Sequence, residues 1–140
     1  MSQLLKKSET SYSAAELLHK QCLFSSVAHC SYYSCFQMYK YIWLYPMDKT
    51  DDLLKNATNE SFRNNLRIKG SHNILLDRVA QHIKTNNRDD FRVINTSINQ
   101  LKKLRRTADY DDKDFFDKQS EKSIKLSTSI RKVLKKYIPQ

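Results

Sequence analysis

Ser25–Tyr45, SSVAHCSYYSCFQMYKYIWLY, is the stretch whose reading decides the fold. It holds no carboxylate, and its only lysine is Lys40. Tyr32, Tyr33, Phe36, Tyr39, Trp43 and Leu44 recur at helical spacing, while Val27, Ala28, Cys30, Cys35 and Ile42 add apolar positions on the other sides. A helix that is apolar nearly all round is usually central and buried. The rest of the chain then reads as amphipathic helices packed around it. Ser25 or Ser26 is expected to cap its start. Pro46 is expected to stop it, because the residue before a proline resists helix. The aromatic stripe reads first as core, although tyrosines also suit a half-wet dimer interface.

Working outward, Leu4, Leu5, Ser8, Tyr12, Ala15 and Leu18 predict a first helix from Gln3 to about Lys20, with Lys6, Lys7, Glu9 and Glu16 facing away. Ser13 with Glu16 offers a later start through a capping box. The short Gln21–Phe24 link makes the first two helices an antiparallel pair. Beyond the central helix, Asp51–Lys55 reads as a short helical piece and the polar Asn56–Ser61 as a loop. Ser71, after the lone Gly70, is the expected cap of a third helix, His72–Lys84, with Ile74, Leu75, Val79 and Ile83 inward. Thr85–Asn87 reads as a break. A fourth helix, Asp89–Thr107, carries Phe91, Ile94, Ile98, Leu101 and Leu104. Ala108–Asp114 breaks the pattern, and a fifth helix runs to about Tyr137 with Phe116, Ile124, Ile130, Val133, Leu134 and Tyr137 inward. The fold class is therefore all-α, an up-and-down bundle of about five helices forming one domain over residues 1–140.

Composition agrees. A chain of 140 residues with one Gly and two Pro has little of the usual turn punctuation. No βαβ unit and no phosphate-binding glycine loop is present. No apolar run reaches the roughly 18 residues that a membrane span needs. The start, MSQLLKKSET, lacks the apolar core of a signal peptide. Cys22, Cys30 and Cys35 form no CxxC pair, so reduced thiols and a cytoplasmic location are expected, with no zinc site. The net charge of +10 and pI of about 9.6 point to an acidic partner, nucleic acid first, beside the plainer reading of a basic surface that keeps the protein soluble.

Three blocks carry a family resemblance. In Ser25–Phe36, Ala28, the pair Tyr32-Tyr33 and Phe36 match one block. Lys69-Gly-Ser-His72 matches a Lys-x-x-His that precedes the third helix. Arg105, Ala108, Asp109 and Tyr110 match an Arg-x-x-Ala-Asp-Tyr. The ordered set resembles the HEPN family, in particular its small stand-alone members. The resemblance implies a helical bundle that often dimerises, in a bacterial or archaeal cytoplasm, frequently paired with a small nucleotidyltransferase. It also implies toxin–antitoxin or antiphage systems, and in many members a metal-independent endoribonuclease with an Arg-x(4–6)-His signature near a late helix. Arg105 sits where that signature belongs, but no histidine follows His82, and Asp109 and Tyr110 stand in its place. A ribonuclease, a non-catalytic module that binds a nucleotide or docks a nucleotidyltransferase, and a structural adaptor all remain open.

The candidate site follows from residue chemistry. Arg105 and Asp109, four apart, share one helix face. The planar guanidinium of Arg105 suits phosphate oxygens, Asp109 orients it, and Tyr110 stacks or donates. The plainer alternative is an ion pair locking the helix end with Tyr110 packed in the bundle. His72 is a candidate acid or base for a ribose 2′-hydroxyl, or simply a helix-start residue bonded to a neighbouring helix. Arg67 and His72 match Arg-x(4)-His literally, a spacing that chance readily produces. Asp111, Asp112, Asp114 and Asp117 mark a helix start rather than a metal site, and no metal or other cofactor is expected. For nucleic acid, the candidates are Lys102, Lys103 and Arg106 on the fourth helix and Lys132, Lys135 and Lys136 on the fifth. There they join Lys118, Lys122, Lys125 and Arg131 against the single acid Glu121.

Overall fold

The computed structural model describes residues 2–139. Helix makes up 80% of the described residues, which form six helices packed as a bundle, with no strand. These are α1 (Gln3–Lys20), α2 (Phe24–Leu44), α3 (Asp51–Arg63), α4 (Ser71–Asn86), α5 (Arg88–Tyr110) and α6 (Asp117–Lys135). The all-α expectation holds, with one more full helix than the periodicity suggested. Among the described residues, no helix is long and apolar enough to cross a membrane.

Helix α2 is the centre, packing against α1, α4, α5 and α6. Val27, Ala28, Cys35, Tyr39 and Ile42 on it are fully buried. Burial pushes the Cys35 thiol up to about 12, so it packs as a small apolar group. The N-cap is Leu23, and neither Ser25 nor Ser26 caps the helix. The α1–α2 turn explains why. Cys22 adopts a left-handed φ of 62°, and the Leu23 amide donates back to the Leu18 carbonyl at 2.9 Å. This is the six-to-one bond that closes a helix end, so the chain enters α2 straight from the end of α1. At the other end of the pair, the Ser2 hydroxyl accepts from the Leu5 amide, starting α1 at Gln3 rather than near Ser13.

Between α2 and α4 the sequence reading needs correction. Asn56–Ser61, expected as a loop, is the second half of α3. The Thr50 hydroxyl caps the Leu53 amide, and Asp51 and Asp52 complement the helix dipole in the first turn. Leu54 and Ser61 are buried, two turns apart on one face with the half-buried Ala57 and Thr58 one turn along between them, while Asn56, Asn59 and Glu60 face solvent. Polar composition there marks an outer face, not a break. The Ser61 hydroxyl donates to the Ile68 carbonyl, tying the end of α3 to the segment that leads into α4.

Gly70, with φ of 90°, is the α4 N-cap, and Ser71 is the first helical residue. Helix α4 continues through Thr85 and Asn86. The break is Asn87 alone, whose side chain accepts from the Asp90 amide to cap α5. Helix α5 runs three residues beyond Thr107, to Tyr110.

Three side chains expected elsewhere are also relocated. Phe116 is 61% exposed, because it is the N-cap of α6 rather than part of its inward stripe. Arg131 does not join a basic face. It is buried, reaching Glu9 of α1 at 2.7 Å and lying over the Tyr12 ring at 4.4 Å. Glu9, expected to face away, is therefore the partner of a buried charge.

Candidate functional site

The first turn of α4, the middle of α2 and the last two turns of α5 meet around one cavity of about 410 Å³. Tyr32, His72, Asn73, Lys102, Arg105, Arg106 and Tyr110 line it. Four of these seven, Lys102, Arg105, Arg106 and Tyr110, follow from the three- and four-residue periodicity of α5.

Arg105 is held from two sides. Its guanidinium carbon lies 4.9 Å from the Tyr32 ring centre and 5.4 Å from that of Tyr33. The electron-rich ring faces attract the cation and set its plane. The Asp109 carboxylate sits 3.4 Å from Nε, an ion contact rather than a hydrogen bond, since the buried Nε has no hydrogen-bond acceptor. Asp109 also lies 3.3 Å from Nδ1 of His29 on α2. It thus orients Arg105 and fastens the end of α5 to α2 at once. Tyr110 is not packed in the bundle: it is 72% exposed, at the rim of the cavity.

His72 is set as firmly. Its ring stacks on Phe36 with centroids 4.0 Å apart, and Nδ1 lies 3.1 Å from the Tyr32 hydroxyl. Burial, and then the charges of Arg105, Lys40 and Lys102, push its pKa below 6.5. The imidazole is neutral at pH 7. When Nδ1–H donates to the Tyr32 oxygen, Nε2 is left as a proton acceptor. Burial raises Tyr32 to about 12, so its hydroxyl stays protonated and fixes the ring without titrating.

Lys102 donates from Nζ to the Asn73 side-chain oxygen at 2.6 Å, bridging α5 to α4. Burial, then Arg106, lowers its pKa below 10.5. Three cations facing one cavity repel each other unless an anion joins them. Among the described residues, no group of three or more His, Cys, Asp or Glu side chains gathers as a metal site. Asp117, from the acidic run, occupies the first turn of α6, where the helix dipole favours it.

The structure brings Arg105, Asp109, Tyr110, His72, Lys102 and Arg106 together. It leaves Lys103 exposed outside the cavity lining and puts the α6 candidates elsewhere. Lys132 is exposed, Lys135 borders a separate cavity beside Ser2 and Leu5, and Lys136 pairs with Asp90 at 3.0 Å. Sequence reasoning passed over Tyr32, Asn73 and His29 as site residues. The signal was the spacing of His29, Tyr32, Tyr33 and Phe36 on α2, one face of aromatic rings with polar tips.

No protein-family model, no curated protein and no solved structure matches this chain.

Proposed function

We propose that the chain is a HEPN-like module directed at RNA or a nucleotide, and that it cleaves single-stranded RNA without a metal. The reading rests on one observation above all: Arg105, clamped between the tyrosine pair and Asp109, faces the same cavity as a neutral His72. In this mechanism Arg105, with Lys102 and Arg106, receives the phosphate and offsets the charge that builds on it. Nε2 of His72 takes the proton of the ribose 2′-hydroxyl, whose oxygen then attacks phosphorus. The 5′-oxygen leaves with a proton from Tyr110 at the rim. A homodimer that sets two Arg105 side chains on one phosphate, a nucleotidyltransferase partner, and a role in a cytoplasmic toxin–antitoxin or defence system belong to the same proposal, through the resemblance of the three sequence blocks.

A second reading has its own support. Among the described residues, His72 is the only imidazole lining the cavity, while His29 is held by Asp109. A pocket with one imidazole suits a module that binds a nucleotide without cleaving it.

Cleavage of RNA in EDTA by wild type, Arg105→Ala and His72→Ala separates the two. Metal-independent cleavage lost in both variants supports the ribonuclease. Binding of RNA or AMP that depends on Arg105, with no cleavage by the folded wild type, supports the binding module.

A further inference from the structure

A second cavity, of about 390 Å³, adjoins the first and shares Asn73 and Lys102 with it. It is a groove between α4 and α5. Leu76, Ala80 and Ile98 form its apolar floor, and the amides of Gln81, Asn95 and Asn99 stand along its edges. Arg67 and Lys69 close one side against a single acid, Asp77.

The geometry points to this groove as a nucleobase-binding subsite continuous with the phosphate pocket, so that the ligand is a single-stranded RNA segment rather than a mononucleotide. The inference rests on the reading of the Arg105 cavity as a phosphate site. Three features carry it. First, side-chain amides both donate and accept, which is what the edges of unpaired bases require. Second, the apolar floor fits the face of a base, while Arg67 and Lys69 suit the backbone beside it. Third, the two cavities lie along one helix. From Asn95 to Arg106 the axis rises about 16 Å, several times the ~3.4 Å per nucleotide of a stacked strand. The hydrogen bond between Lys102 and Asn73 marks the junction, where one phosphate passes into the next nucleotide.

The test compares AMP with homotetranucleotides of A, C and U by equilibrium binding to wild type, to the double variant Asn95→Ala/Asn99→Ala, and to Arg105→Ala. Both asparagines are exposed on a helix, and alanine favours helix, so the double variant keeps its fold, which circular dichroism checks. The proposal expects wild type to bind at least one tetranucleotide more tightly than AMP. It expects the double variant to lose about 10-fold in the tetranucleotide-to-AMP affinity ratio, the scale of base-edge contacts. It also expects the preference among A, C and U to shrink. An unchanged ratio in the double variant, or tetranucleotides bound no better than AMP by wild type, overturns the groove and leaves the phosphate pocket standing. AMP binding that is absent, or unaffected by Arg105→Ala, overturns the phosphate pocket itself and the groove with it.

Discussion

The imidazole of His72 lies face to face with the ring of Phe36, their centroids 4.0 Å apart and their planes within 18°. A side chain on the first turn of α4 is thereby locked onto α2, with the Tyr32 hydroxyl holding Nδ1. The same contacts that desolvate the ring also aim it. The structure therefore predicts that His72 titrates below 6.5, and that Arg105→Gln raises its midpoint by removing a neighbouring cation. NMR titration of the imidazole reads both. The unfolded chain takes up this proton first, so this group makes stability fall as pH drops through 6.5 towards the lower folded value. His72→Gln should flatten that limb. A midpoint at or above 6.5 contradicts the packing described.

Glu9 is 57% exposed by side chain, yet it is the partner of Arg131, whose side chain is 6% exposed. Most exposed substitutions change stability by less than about 0.5 kcal/mol. Glu9→Ala should cost about 2 kcal/mol, because it strands a buried guanidinium. Glu9→Ala combined with Arg131→Met should recover much of that loss. Urea unfolding midpoints measure both, and a neutral Glu9→Ala refutes the coupling.

Asp90, at the start of α5, accepts from the Tyr137 hydroxyl at 2.6 Å and from Lys136 at 3.0 Å. The bond from Tyr137, and then Lys136, holds its carboxyl below 3.8. A carboxylate depressed in this way contributes stability that is complete above its unfolded value and is lost as pH falls through the folded one. Asp90→Asn should therefore destabilise the protein at pH 7. The gap from wild type should close below pH 3.8 as the native carboxylate protonates. A gap that persists unchanged in acid argues against the ionised pair.

Cys22 holds a left-handed φ of 62° at an exposed helix end, a conformation that costs an ordinary residue about 1 kcal/mol relative to glycine. Cys22→Gly should raise the thermal midpoint, whereas Cys22→Val should lower it. Equal midpoints for the two variants would contradict this backbone geometry.

Much of this architecture could be read from apolar spacing, because burial leaves its imprint at every third or fourth residue. Ile74, Leu75, Val79 and Ile83 in α4, and Ile94, Ile98 and Leu101 in α5, all face the core as their spacing requires. The second half of α3 was hidden because its one buried residue is Ser61, and a buried serine leaves no hydropathic mark. Arg131 was misplaced for a related reason. A basic residue on a basic helix looks solvated until its partner on another helix is known. The α5 side of the site was legible because Arg105 and Asp109 are four apart. Tyr32 was not, because an aromatic ring can fill the core while its hydroxyl works at an edge, and one-dimensional spacing cannot separate the two ends of a side chain.

Helices α4 and α5 are joined by Asn87 alone, and residues 67–106 supply the whole of the groove between them and most of the lining of the Arg105 cavity. Those parts are neighbours along the chain, so their contacts close small loops at low entropic cost. Tyr32 comes from α2, far back in the sequence, and it completes the cavity only when that hairpin docks onto the central helix. A ligand that requires the finished cavity therefore favours the docked bundle over an undocked α4–α5 pair.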